Sequence, residues 1–171
     1  GGCAFMDDTA LEIVEGDLTN VKNIDSRAFY NCTSLSFEEL NLPNLETLGQ
    51  NAFYGVKIKK ISNLGKITTL PTGSNSAQNF GDISTLEELV LPQTLTKLHE
   101  PYIGRYSNCV IKGLYLPLCT SMTGYGGFSG CKLEGDIYLP MLEGQIGTNH
   151  TGAGFFQGTN ITSVSSLGNA T

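Results

Sequence analysis

The chain carries little charge, and little of it is basic. Charged residues make up 15% of the sequence, against roughly 25% in ordinary soluble domains. Lys and Arg together number 10, and the net charge is -6. That balance argues against a nucleic-acid partner, which is held mainly by neutralising phosphates. It equally disfavours an anionic membrane surface. No apolar stretch reaches the roughly 18 residues that a spanning helix requires.

Motifs for chemistry are missing as well. There is no G-x-S-x-G, no phosphate-cradling glycine loop, no His-x-x-x-His, and no acidic pair that can be set across a cleft. The expectation is a protein without catalysis, metal or cofactor. The only histidines, His99 and His150, lie on separate insertions with few neighbouring ligands. Five cysteines is an odd count for a disulfide framework, and no paired C-x-x-C suggests zinc.

Gly, Ser, Thr and Asn take the place of the missing charge, which suits a chain that turns often. An aromatic recurs at Phe5, Phe29, Phe53, Phe80, Tyr106, Phe128 and Phe156, at steps of 24, 24, 27, 26, 22 and 28 residues. Self-similarity at this period means stacked units, because one unit cannot bury its own apolar face. Three residues after an anchor stand Cys32, Val56, Ile83, Cys109 and Cys131. A slot that takes Cys, Val or Ile is a small core position, so these thiols read as buried hydrophobes. Cys109 and Cys131 fall in successive coils, so a bridge between them stays open. The spacing of three predicts a turn or two of helix, α or 3₁₀, at each anchor.

After each anchor comes a strand phrase, such as Phe37-Glu38-Glu39-Leu40-Asn41-Leu42 or Ile111-Lys112-Gly113-Leu114-Tyr115-Leu116. Its Leu-x-Leu alternation is that of a half-buried strand, and Pro43, Pro92, Pro117 and Pro140 end it. Two units end in Leu-Gly instead, at Leu64-Gly65 and Leu167-Gly168. Equivalent strands of successive coils are expected to pair in parallel.

Two sets of residues stay free of core duty. Glu38, Lys59, Glu87, Lys112 and Glu134 alternate in sign from coil to coil, which reads as a ladder of cross-strand pairs that fixes register. The residues inside Leu-x-Leu are Asn41, Ser62, Val90, Tyr115, Tyr138 and Ser165. Tyr115 and Tyr138 should be neighbours, with Val90 beside them. Such a pair can serve as a contact surface for a protein or a sugar, or simply stiffen the sheet by stacking.

The run Ala28-Phe29-Tyr30-Asn31-Cys32-Thr33-Ser34-Leu35, with Leu42-Pro43, Leu45, Leu48-Gly49 and Ala52-Phe53, resembles the BspA-type leucine-rich repeat family. The resemblance runs over essentially the whole chain. It implies a right-handed repeat solenoid, with a parallel β-sheet on one face and short helical or 3₁₀ turns and loops on the other. It also implies an extracellular or cell-surface protein of a host-associated bacterium, and adhesion to host matrix proteins.

The sequence therefore reads as one solenoid over residues 1–171, of about six to seven units of 22–28 residues, expected to be a slice of a longer array. The expected function is non-enzymatic binding of a protein or glycan, with Tyr115, Tyr138 and Val90 as the contact face. The alternative is a structural spacer that presents another domain.

Overall fold

The computed structural model describes residues 1–71, 85–99, 109–123, 128, 131–144, 146, 156, 158–159 and 161–170. The anchors Phe80 and Tyr106, the slot residue Ile83, His150 and most of the three longer insertions lie outside the described residues. Backbone contacts divide the chain into two compact units, residues 1–67 with 71–88 and residues 68–70 with 89–171.

The first unit contains β1 (Asn23–Ile24), β2 (Ser36–Asn41), β3 (Thr47–Leu48) and β4 (Lys57–Asn63). β2 pairs in parallel with β4, and β1 in parallel with β3. β5 (Glu88–Val90) lies at the division between the units. The second unit contains β6 (Lys97–His99), β7 (Val110–Tyr115), β8 (Ser121–Thr123), β9 (Lys132–Tyr138), β10 (Glu143–Gly144), β11 (Ser163–Ser166) and β12 (Asn169–Ala170). There β7 pairs with β9, β9 with β11, β6 with β8 and β10 with β12, all in parallel. Each unit is thus a parallel β-solenoid, as the repeat predicts.

The leucine columns form the core. Leu35, Leu40, Leu42 and Leu45 are buried in one coil, and Ile58, Ile61, Leu64 and Ile67 in the next. In the second unit Cys109, Ile111, Leu114, Leu116 and Cys119 are buried in one coil, and Cys131, Leu133, Ile137, Leu139 and Leu142 in the next. Each fully buried Leu or Ile contributes about 1.5–3 kcal/mol over leaving it in water. After the strand the chain turns a corner, where the N–H of Leu45 donates to the carbonyl of Leu42 at 3.1 Å. The N–H of Leu95, Cys119 and Leu142 closes the same turn three residues on. Cys119, outside the anchor-plus-three slot, therefore holds a corner leucine position.

At Phe5, Phe29 and Phe53, the anchors whose whole segments are described, the chain forms turns and no helix, contrary to the sequence expectation. The 3₁₀ helix among the described residues, Leu18–Asn20, lies away from them and is capped by the Asp17 carboxylate, which accepts from Thr19 N–H at 2.8 Å. These three segments are linked turns that each cross the left-handed region twice. Cys3, Arg27 and Asn51 have φ of 61°, 57° and 57°, while Asp7, Asn31 and Gly55 have 61°, 60° and 79°. A left-handed residue every four positions interrupts helical bonding and turns alternate N–H groups toward the next coil. The N–H of Phe5, Phe29 and Asn31 donate to the carbonyls of Ala28, Ala52 and Tyr54 at 2.8, 2.8 and 2.7 Å. The turns thus carry a coil-to-coil ladder of their own.

The short strands pair as three separate two-stranded sheets, β1–β3 in the first unit and β6–β8 and β10–β12 in the second, which the one-sheet expectation omitted. Beside them in the second unit runs a threonine column. Thr96 donates both its N–H (2.9 Å) and its hydroxyl (3.2 Å) to the carbonyl of Thr68, and Thr120 does the same to Thr96.

The Leu-Gly endings also have a structural cause. Ile61-Ser62-Asn63-Leu64 holds one residue more than Leu40-Asn41-Leu42, and β4 absorbs it as a bulge. Asn41 therefore faces Asn63 and not Ser62. β11 repeats the device, so that Ser166 and not Ser165 is in register with Tyr138. Asn63 Oδ1 accepts from Gly65 N–H at 2.9 Å, and Ser166 Oγ accepts from Gly168 N–H at 3.5 Å.

Candidate functional site

Residues inside the strand phrases face away from the core because their neighbours on both sides face in. In β7, Ile111 and Leu114 are buried while Lys112 and Tyr115 are exposed. In β9, Leu133 and Ile137 are buried while Glu134 is exposed and Asp136 and Tyr138 are half-buried. Gly135, with φ of +98°, supplies the extra residue that realigns the pair beyond Lys112. Lys112 then faces Glu134, and Tyr115 faces Tyr138.

The two tyrosine rings stack with centroids 4.7 Å apart and planes 9° from parallel. That spacing is the strand separation itself, so parallel pairing places equivalent rings at stacking distance. Tyr115 is 45% exposed. Val90, at the end of β5, is half-buried. Three residues before Tyr115, Lys112 Nζ meets Glu134 Oε2 at 2.8 Å. The second unit thus presents a stacked aromatic pair and an ion pair on the same side of the same two strands.

In the first unit Lys59 Nζ meets Glu38 Oε2 at 2.9 Å. Glu87 donates its backbone N–H to the carbonyl of Lys59 at 2.8 Å. The Lys59 ammonium is held above its ordinary value by its hydrogen bond to Glu38, then by the charges of Glu38 and Glu87. A second column runs beside the first. Glu39 is in register with Lys60, and Lys60 Nζ meets Glu88 Oε1 at 3.3 Å. Within the first unit the ladder residues thus group as Glu38, Lys59 and Glu87, and within the second as Lys112 and Glu134.

The slot cysteines are thiols outside any disulfide, so Cys109 and Cys131 are not bridged. Cys32, Cys109 and Cys131 are buried, as are Val56 and Thr159 in the equivalent position. Thr159 is tolerated because its hydroxyl donates to the Phe156 carbonyl at 2.7 Å. Burial pushes the Cys131 thiol up to about 12. Cys3 is exposed.

Sequence reasoning missed a second aromatic pair. Tyr30 and Tyr54 stack at 4.7 Å with 12° between planes, and the Arg27 guanidinium lies 5.7 Å from the Tyr30 centroid. The neighbouring anchors Phe5, Phe29 and Phe53 also stack, at 5.4 and 5.6 Å, running from the exposed Phe5 through the half-buried Phe29 to the buried Phe53. The signal of the tyrosine pair was legible, since each tyrosine follows its anchor phenylalanine at the 24-residue period.

Among the described residues no cluster of three or more His, Cys, Asp or Glu could hold a metal ion. No described helix is long and apolar enough to cross a membrane. A cavity of about 200 Å³ in the first unit is lined by Phe5, Val14, Leu18, Phe37 and Leu40.

Six copies of the BspA type leucine rich repeat region match the chain, over residues 2–134 and 76–171. No curated protein and no solved structure matches it. The aromatic anchors, cysteine slots and leucine columns of the structure are the repeating features of that pattern. The chain belongs to the BspA-type leucine-rich repeat family.

Proposed function

We propose that this protein is a non-enzymatic binding module of the cell surface or the extracellular space, which adheres to a protein or glycan through the outer side of β7 and β9. Family membership supports a surface repeat of the binding kind. The observation that carries the site is the Tyr115–Tyr138 stack, with Tyr115 45% exposed. Aromatic side chains with a polar tip bring large contact area at little conformational cost, and they dominate binding surfaces for that reason. Val90 borders the same face in this reading. The ladder residues Glu38, Lys59, Glu87, Lys112 and Glu134 hold coil order and stay outside the contact.

The test is adhesion of the purified protein to surfaces coated with host matrix proteins and with glycans. Tyr115→Ala and Tyr138→Ala together are expected to weaken adhesion by about tenfold or more, as the loss of a paired aromatic anchor should. Unchanged adhesion would remove this face from the binding site. A wild-type protein that adheres to nothing in a broad panel would favour the spacer reading, in which the solenoid only presents another domain.

A further inference from the structure

We propose that the outer face of the Tyr138 ring, at the step between β9 and β11, is a subsite for a neutral pyranose ring of a glycan. This rests on the reading of Tyr115 and Tyr138 as the contact face and names the ligand class. One face of the Tyr138 ring is covered by Tyr115 at 4.7 Å. On the other side lies β11, where the residue in register with Tyr138 is Ser166. A single hydroxymethyl group is too small to cover a phenol ring. The aromatic column therefore ends in a step, whereas Phe5, Phe29 and Phe53 stack through three successive coils.

What fits such a step is flat, weakly apolar on its face and polar around its edge. The C–H face of a pyranose meets that description, because its axial hydrogens lie against the electron-rich face of a phenol. The rim favours a sugar over an apolar peptide side chain. Asp136 stands two residues before Tyr138 on the same side of β9 and in register with Ser163 of β11. Two residues along a strand cover about 6.6 Å, so a ring laid on Tyr138 turns one hydroxyl-bearing edge toward Asp136 and Ser163. The Ser165 hydroxyl first, and the Ser163 hydroxyl after it, hold the Asp136 carboxyl below its ordinary value, which keeps it an acceptor at neutral pH. Ser166 Oγ accepts from Gly168 N–H at 3.5 Å and keeps its own O–H to donate. An aromatic platform with a few fixed polar groups at its edge is how a site orients a polyhydroxylated ring. Glu134 is already paired with Lys112, so it is the Asp136 carboxylate that repels an acidic sugar and favours a neutral one.

The test is titration calorimetry and ligand-observed NMR of the full chain with neutral gluco-, galacto-, manno- and N-acetylglucosamine oligosaccharides. Sialylated and sulfated oligosaccharides serve as charged comparators. At least one neutral oligosaccharide is expected to bind, and the charged ones to bind more weakly. Ser166→Tyr fills the step with a third ring, so it is expected to lower that affinity by about tenfold or more while the melting temperature holds or rises. Tyr138→Phe should retain most of the affinity, and Tyr138→Ala should lose it. Absence of binding to every neutral oligosaccharide overturns the subsite, as does binding that Ser166→Tyr leaves unchanged. If Tyr115→Ala with Tyr138→Ala still weakens adhesion to a protein coat, the ligand class is wrong and the contact face stands. If adhesion too is unaffected, both readings fall.

Discussion

Gly65 lies with φ of +64° against the backbone of Leu45 in the preceding coil, and a β-carbon there would sit 2.5 Å from the Leu45 carbonyl oxygen. Gly168 has the same relation to Leu142, with φ of +58° and the same 2.5 Å approach. Gly65→Ala must therefore distort two coils at once. It is expected to cost more than about 2 kcal/mol in urea unfolding, the left-handed backbone supplying about 1–2 of it and the collision the rest. Gly144 has φ of +75° with nothing within 4 Å of its hypothetical β-carbon. Gly144→Ala should thus cost only the backbone share, and equal costs for the two variants would show that the contact does not matter.

The Tyr115–Tyr138 stack predicts a measurable coupling. Tyr115→Leu, Tyr138→Leu and the double variant should give an interaction energy of about 0.5–1.5 kcal/mol in a double-mutant cycle. A value near zero would mean that the stack does nothing for the sheet. The pair would then be maintained by contact with a ligand alone.

Thiol reactivity separates the exposed cysteine from the buried ones. Cys3 should react with a water-soluble thiol reagent in the folded protein, while Cys32, Cys109, Cys119 and Cys131 should react only on unfolding. Burial raises the thiols of Cys32, Cys119 and Cys131. For Cys131 the folded value is raised from the ordinary 9.0 to about 12, so the neutral form favours the fold. That stability is fully present below 9.0 and is lost as pH rises from there toward 12. Cys131→Val should flatten the alkaline limb of the stability curve, and an unchanged limb would contradict the burial argument.

Reversing Lys59 sets three like charges in one column with Glu38 and Glu87. Lys59→Glu is expected to lower the melting temperature at low ionic strength, and the deficit should shrink in about 1 M salt as screening shortens to a few ångströms. Lys59→Gln should do less. A deficit indifferent to salt would point to lost packing of the lysine stem.

The sequence was most informative where one position does one job in every coil. Leu40, Leu42 and Leu45 recur as Ile61, Leu64 and Ile67 and as Ile137, Leu139 and Leu142, because each coil must bury side chains at these places toward the same interior. The helix expectation at the anchors failed because spacing of three fits a chain of tight turns as well as a helix. Asp7, Asn31 and Gly55 at one repeat position were the distinguishing sign, since these residues tolerate the left-handed region. β1, β3, β10 and β12 are two residues each, too short for alternation to register. The register of the open face slipped at Ser62 and Ser165 because a single inserted residue is absorbed as a bulge, invisible in an ungapped comparison. For Tyr115 and Tyr138 no insertion intervenes beyond the Gly135 bulge, and the sequence placed the two rings in adjacent strands.

The two kinds of strand ending bear on how such an array can grow by gene duplication. Gly65 rests on the Leu42–Leu45 corner around Pro43, and Gly168 on the Pro140–Leu142 corner. The atoms each glycine meets are backbone atoms, which every residue carries, so no substitution in the coil beneath can make room for a side chain there. A duplicated coil of this kind must therefore carry its glycine with it, while the corner it lands on is free to vary in side chain.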